Sequence, residues 1–313
     1  MLSYILRRIL ATLPVMAIVA LFVFSLLYIA PGDPAAIIAG DQATPEDVER
    51  IRASLGLDRP FAVRFFDWFW HILHGDLGTS IFTNLPVSHM IAQRIEPTLS
   101  LMSLTLILSL SVAIPMGVLA AWKHGSLIDR FVMSLAVFGY STPVFVVGYL
   151  LAYVFALQLD WLPVQGFRPI SDGLFPFLRN LILPAIALGL IYMALIARIT
   201  RATMLDVLSQ DYVRTAKAKG VEQKDILFVH ALKNAAVPIV TIVGIGFAAL
   251  IGGAVVTESV FAIPGLGRLT VDAILRRDYP IIQGVVLLFS VTYVLVNLVV
   301  DLLYTVFDPR IRY

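Results

Sequence analysis

The sequence contains no cysteine. Disulfides, thiolate metal sites and a cysteine nucleophile are therefore excluded together. Charge is scarce as well. Asp, Glu, Lys and Arg make up 14% of the 313 residues, against about a quarter in an ordinary soluble domain. The net charge of +2 is too small to recruit nucleic acid. Motifs of self-powered chemistry are missing too: no G-x-x-x-x-G-K-[ST] phosphate loop, no H-E-x-x-H and no G-x-S-x-G elbow occur. No paired catalytic groups stand at useful spacing, which argues against a membrane-embedded enzyme.

Leu, Val, Ile, Ala and Phe take the place of the missing charge, and 59% of the chain is hydrophobic. A membrane-spanning helix needs about 20 apolar residues, because the hydrocarbon core is about 30 Å thick and each residue rises 1.5 Å. Six stretches free of Asp, Glu, Lys and Arg qualify: Ile9–Ala30, Pro97–Trp122, Phe131–Leu159, Asn180–Ala197, Ala235–Thr257 and Ile281–Val300. The fourth is the shortest, and Arg198 and Arg201 can snorkel at its end. The first follows Arg7 and Arg8 but is long for a signal peptide, and Pro31-Gly32-Asp33-Pro34 offers no clear small-residue cleavage site. It reads as a retained span. Pro14, Pro115, Pro143, Pro184 and Pro238 lie inside or near these stretches. Such prolines are tolerated where neighbouring helices satisfy the freed carbonyls, which favours a packed bundle.

Six spans place both termini on one side. With the N-terminus inside, the inner segments carry Arg7, Arg8, Lys123, Arg130, Arg198, Arg201, Arg214, Lys217, Lys219, Lys224, Lys233, Arg310 and Arg312. The short outer loops carry Arg168, Arg179, Arg268, Arg276 and Arg277. Thirteen against five is the bias of a chain with cytoplasmic termini in a bacterial-type inner membrane. The reading is then an N-terminus and first span over 1–30, an extracytoplasmic segment over 31–96, a five-helix core over 97–307 and a C-terminal tail over 308–313.

The outer segment reads as ordered. Thr44 suits a helix cap, Pro45 the first turn, and Glu46 and Asp47 the positive end of the dipole. Val48, Ile51 and Leu55 form one apolar stripe, and Gly56 suits the stop. The aromatic run Phe61–His71 fits a helix at the membrane interface. His71, His74 and Asp76 could bind a metal, but polar residues at a helix end account for them equally. Within the inner segment from Arg198 to Asn234, Asp206–Lys219 reads as helix, Gly220 as a stop and Gln223–Asn234 as a second helix. Its acids, Asp206, Asp211, Glu222 and Asp225, and its tight flanking by spans make it a poor DNA reader and a good docking element. Carboxylates within spans are costly and mark ion-coupled carriers. The six stretches hold none, and Glu258 and Asp301 sit only at their ends. The driving energy is therefore expected from another subunit, which argues against a stand-alone secondary transporter or channel.

The chain resembles the binding-protein-dependent ABC importer permeases of the dipeptide, oligopeptide, glutathione and nickel branch. The resemblance runs over nearly the whole length. It begins with Pro31-Gly32-Asp33-Pro34, Leu55-Gly56-Leu57-Asp58, Gly75-Asp76-Leu77-Gly78-Thr79-Ser80, Ser141-Thr142-Pro143-Val144-Phe145 and Trp161-Leu162-Pro163. Its most specific part is Gln210–Gly220 followed by His230-Ala231-Leu232-Lys233-Asn234. Glu258-Ser259-Val260-Phe261, Pro264-Gly265-Leu266-Gly267, Arg277-Asp278-Tyr279-Pro280 and Asp308-Pro309-Arg310 complete the ordered set.

The resemblance implies an all-α polytopic membrane protein of type I importer architecture with six transmembrane helices. It implies a second homologous permease, two cytoplasmic ATP-binding subunits that hold ATP and magnesium, and an extracytoplasmic solute-binding protein. The chain itself is expected to carry no cofactor, no metal and no catalytic residue. The family's E-A-A-x-x-x-G loop falls on Arg214-Thr215-Ala216, Lys217–Lys219 and Gly220, with Arg214 where the general form has an acid. The ATPase-coupling residues so implied are Asp211, Tyr212, Arg214, Thr215, Ala216, Lys217, Lys219 and Gly220. A rigid lever there would alternate access to a pathway shared with the second permease. Polar groups within or at the ends of spans, Ser141, Thr142, Asn180, Tyr192 and Glu258, are candidates to line it, although such residues also serve helix packing. The implied cargo is a dipeptide or short oligopeptide; glutathione, nickel chelates and other peptide-like solutes stay open.

Overall fold

The computed structural model describes residues 2–29, 33–40, 43–54 and 56–307. Pro31, Gly32, Leu55 and the tail 308–313, with Asp308-Pro309-Arg310, lie outside the described residues. Helices in chain order are α1 Leu2–Ile29, α2 Pro34–Ala39, α3 Pro45–Ser54, α4 Phe61–Leu73, α5 Val87–Trp122, α6 Leu127–Ser141 and α7 Val144–Leu151. They continue with α8 Leu174–Leu208, α9 Asp211–Ala218, α10 Gln223–Asp225, α11 Leu232–Val260, α12 Leu266–Arg276 and α13 Tyr279–Phe307. A π-helical stretch, Ala152–Gln158, prolongs α7, and another, Ile226–Ala231, leads into α11.

Among the described residues, five helices are long and apolar enough to cross a membrane, and α6 with the α7 segment makes a sixth when taken as one crossing. That pair is bent by 104°, where the sequence suggests one continuous stretch. The reason is local. The ring of Pro143 disfavours helical backbone at Thr142, and Thr142 is extended at φ −93, ψ 125. Pro143 then starts the next helix, its carbonyl accepting from the amides of Val146 and Val147. Pro14, Pro97, Pro115, Pro184 and Pro238 stay inside their helices.

The chain forms two compact units, residues 1–5, 95–268 and 293–313, and residues 6–94 and 269–292. In the first, α8 is the central element, packed by α6, α7 and α11. Leu101, Leu181 and Ile196 are buried in its core. Close packing uses small residues, as expected where lipid removes the hydrophobic drive between helices. The Tyr192 ring lies against Gly246, where any Cβ would collide with it, and its hydroxyl donates to the carbonyl of Val243.

In the second unit, α4 lays Trp68, Phe69 and Ile72 against a cluster built on Ala20, Val23 and Leu287. Phe24 of α1 stands 5.3 Å from the rings of both Phe61 and Trp68. Arg64 donates to the Tyr28 hydroxyl and stands over its ring. The capping of α3 is as the sequence suggests. Thr44 Oγ1 accepts from the Asp47 amide at 3.3 Å, and the Thr44 amide donates back to the Asp47 carboxylate at 3.2 Å. Gly56, at φ +62, follows that helix. His71 and His74 place Nδ1 2.7 Å and 2.8 Å from the carbonyl oxygens of Asp67 and Trp70, one turn back on their own helix.

Candidate coupling and translocation site

The helix expected to begin at Asp206 is divided. Asp206 belongs to α8, which runs to Leu208, and Gln210 is extended at φ −71, ψ 150. α9 therefore starts afresh at Asp211 as a separate two-turn rod. It ends in a left-handed closure. Gly220 lies at φ +77, the Val221 amide donates to the Ala216 carbonyl at 3.2 Å, and the Gly220 amide donates to the Lys217 carbonyl at 3.0 Å. The second expected helix, Gln223–Asn234, is also composite: a short α turn, the π stretch and the first turn of α11.

α9 presents its polar face outward. The Asp211 side chain is 95% exposed and that of Arg214 74%, in an i,i+3 ion pair at 3.4 Å. Tyr212 is 45% exposed, and partial burial pushes its phenol up from its ordinary pKa. Thr215, Lys217 and Lys219 are exposed and Ala216 is half-buried. Val213 is the one fully buried residue of α9, and α9 packs on the π stretch Ile226–Ala231.

The pathway candidates do not converge on one surface. Ser141 is exposed beside the bend and lines a cavity of about 420 Å³ with Tyr140, Arg198 and Arg201. Thr142 donates to the Phe138 carbonyl at 2.8 Å. Asn180 lines a different cavity of about 580 Å³ with Gln165, Arg168 and Arg179. Tyr192 is in the core. Glu258 is fully buried at the end of α11. The Thr98 hydroxyl donates to its Oε1 at 2.6 Å, and the Arg268 amide donates to Oε2 at 2.9 Å. Thr98 Oγ1 in turn accepts from the Leu266 amide at 2.8 Å. Gly265 has no room for a Cβ against this carboxylate, which accounts for Pro264-Gly265-Leu266-Gly267 following Glu258. A carboxylate held by an amide and a hydroxyl keeps its burial affordable.

Two relationships are not visible in the sequence pattern. The first joins Asp129 to Arg201. Arg201 does not snorkel: Nε donates to Asp129 Oδ1 at 2.5 Å and Nη2 to Oδ2 at 2.8 Å, a two-point pair. The Gly125 amide donates to the same Oδ2 at 3.0 Å. The second joins the Gly75–Val87 loop to Asp278. The strand-like bridge Thr79–Pro86 closes that loop, and the buried Ser80 hydroxyl donates to Asp278 Oδ2 at 2.5 Å. Sequence separations of 72 and 198 residues hide both contacts from any local pattern.

Apolar helices of spanning length, a proline-broken crossing and an outlying amphipathic rod define a polytopic helical membrane protein. Residues 113–313 match the binding-protein-dependent transport system inner membrane component family, and residues 1–102 match the N-terminal region of such membrane components. The chain belongs to this family. It is 56% identical over 310 residues to the "Probable peptide ABC transporter permease protein" of Sinorhizobium fredii, covering 99% of both chains. It is 44% identical over 313 residues to the glutathione transport system permease protein of Salmonella typhimurium, covering all of both. Among solved structures, the inward-facing MetNI methionine ABC transporter superposes with a TM-score of 0.59 at 16% identity, over 70% of this chain and 96% of that one. This chain is thus a multi-pass permease subunit of an ABC importer, and ATP hydrolysis in such a system lies in partner subunits. A stand-alone carrier or channel is set aside by that membership.

Proposed function

We propose that the chain forms half of a translocation pathway for dipeptides or short oligopeptides, the other half coming from a second permease of the same fold. An extracytoplasmic binding protein delivers the cargo. Two cytoplasmic ATPases, holding ATP and magnesium, grip α9. Both termini and α9 face the cytoplasm, in keeping with the thirteen-to-five bias of basic residues. Support for peptide cargo comes from the Sinorhizobium and Salmonella relatives, named as peptide and glutathione permeases; glutathione is itself a tripeptide.

The observation that carries the reading is the form of α9. It is a short rod with extended backbone before it and a left-handed glycine after it, exposed along its polar face and fixed by Val213. A rod of this kind transmits a displacement without bending. Closure of the ATPases moves α9, α9 tilts the helices that flank it, and the nucleotide state biases two arrangements of the pathway. Lys217→Cys, placed in this cysteine-free chain and fitted with a photo-activated thiol cross-linker, tests the docking in the complete transporter. Adducts should form with an ATPase subunit, and Arg59→Cys should give none. Adducts of Lys217→Cys with lipid or solvent alone remove α9 as the docking rod.

A further inference from the structure

Arg198 and Arg201 lie one turn apart on α8 but meet different surroundings. Asp129 neutralises Arg201. Among the described residues, no carboxylate stands within ion-pair reach of Arg198. Its guanidinium carbon lies 5.7 Å from the centroid of the Tyr140 ring. α6 and α8 run antiparallel, since Asp129 meets Arg201 while Gly139 meets Leu190. Tyr140 is eleven residues beyond Asp129, about 16 Å along the helix at 1.5 Å per residue. Arg198 therefore reaches away from the ion-pair level, toward the bend at Pro143. Its direction follows from helix geometry, because side chains lean toward the N-terminus of their own helix.

A guanidinium turned inward along a span is costly against lipid and is stable where the space beside it holds water or a polar ligand. That space exists here. The cavity of about 420 Å³ has Tyr140, Ser141 and Arg198 on its wall and Met133, Val137 and Leu195 among its apolar lining. Its size is that of a ligand pocket, about 300–1,000 Å³. A planar guanidinium fork accepts a carboxylate at two points. A serine hydroxyl adds a third donor, and the tyrosine face steadies the cation while the place is empty.

We propose that Arg198, Ser141 and Tyr140 form an oxyanion-accepting station on the cargo route, which takes the terminal carboxylate of a peptide while its last side chain rests on the apolar lining. The assignment of the carboxylate to a peptide rests on the proposed peptide cargo; the charge and geometry of the station do not. A lipid phosphate shares the chemistry but would require the cavity to open to the bilayer.

The test uses the complete transporter in vesicles with Ser141→Cys as the sole cysteine of this chain. Two water-soluble thiol reagents of similar size are compared, one bearing a sulfonate and one a quaternary ammonium. The anionic reagent should react about tenfold faster or more, the range by which a focused charge raises local counter-ion encounter. Arg198→Gln should abolish the preference, and Arg198→Lys should keep most of it. Peptides with a free C-terminus should slow the labelling, and their C-terminal amides should not. Equal rates, or a preference that survives Arg198→Gln, overturn the station. Reaction with a membrane-permeant maleimide but with neither charged reagent places Ser141 against lipid and also overturns it. Protection by short-chain phosphatidylglycerol but by no carboxylate solute overturns the cargo assignment. An Arg198-dependent preference with protection by a non-peptide carboxylate upholds the station and overturns the peptide reading alone.

Discussion

Ser80 donates a 2.5 Å hydrogen bond to Asp278 across 198 residues of sequence, and both side chains are buried. The Ile81 amide points at the other carboxylate oxygen at 3.4 Å. The bond fixes the loop that contains Gly75–Ser80 to the turn that contains Arg277–Pro280, so two family motifs form one structure. Asp278→Ala takes the acceptor from the buried Ser80 hydroxyl, whose oxygen keeps only the Thr83 amide, and from the Ile81 amide, and should cost about 1–3 kcal/mol. Limited proteolysis within residues 80–87 should become faster and thermal unfolding in detergent should come earlier. Ser80→Ala should act in the same direction, because it removes the bond to Asp278 and the acceptor of the Thr83 amide. Equal resistance of Asp278→Ala and the parent chain to proteolysis would show that the loop is held elsewhere.

The pair Asp129–Arg201 should behave as a unit. Removing one member strands a buried charge and costs about 3–5 kcal/mol, whereas replacing both with apolar groups is often neutral. Arg201 keeps some exposure, with a side chain 22% accessible, so the lower part of that range applies. Asp129→Leu alone should lower thermal stability in detergent more than Asp129→Leu with Arg201→Met. A double variant weaker than either single one would contradict this.

Gly220→Val separates backbone conformation from crowding, because no atom lies within 4 Å of where a Cβ would stand. The left-handed backbone alone should cost about 1–2 kcal/mol. Membrane abundance should stay near normal, while ATPase co-purification weakens and transport falls sharply. Gly220→Asn, whose side chain tolerates this conformation, should recover part of both. Wild-type transport and ATPase retention in Gly220→Val would reduce Gly220 to a spacer.

The glycine was legible in sequence because its conformation answers to neighbours within the same turn. So was the Thr44 cap, and so were the apolar runs, whose lengths answer to the bilayer. The bend at Pro143 was not. Pro97, Pro115, Pro184 and Pro238 are prolines in similar apolar surroundings, and all remain helical. What differs at Thr142 is a hydroxyl bound to the Phe138 carbonyl and a chain that turns through 104°, and the proline pattern alone does not separate this site from the others. Asp129 with Arg201 and Ser80 with Asp278 were hidden because their partners lie 72 and 198 residues apart in sequence. The candidate coupling rod was visible as a motif, but its separation from α8 depends on the extended Gln210.

Topology can be read with single cysteines. Lys123→Cys, between α5 and α6, and Ser209→Cys, after α8, should react with an impermeant thiol reagent only after the membrane is opened. Ser171→Cys, between the α7 segment and α8, should react from outside. All three positions are exposed. Lys123→Cys and Ser171→Cys reacting from the same side would make the bent pair a re-entrant hairpin. The opposite pattern at all three sites would reverse the proposed orientation.

The cap of α3 gives a pH dependence. The Thr44 hydroxyl, then its amide, hold the Asp47 carboxyl below its ordinary pKa. A carboxylate lowered in the folded state stabilises above its unfolded pKa, and that contribution fades as pH falls through the folded value. Amide exchange at Asp47 and Val48 should therefore quicken, relative to the intrinsic rate, as pH drops below about 4, the unfolded carboxylate range. Thr44→Ala should remove most of this dependence. A pH-independent exchange ratio in the parent chain would contradict the cap's role.

Val213 gives α9 the mechanics of a rod on a single bearing. On the proposed docking of the ATPases on α9, the force they apply passes through that buried side chain and the π stretch beneath it, besides the chain link to α8. The stiffness of this joint then sets how much of each stroke reaches the spans and how much is lost as backlash. Paring the bearing to alanine would leave α9 folded and gripped but loose in its seat. Such a transporter would consume more ATP per molecule carried, a loss of gearing rather than of binding or of fuel.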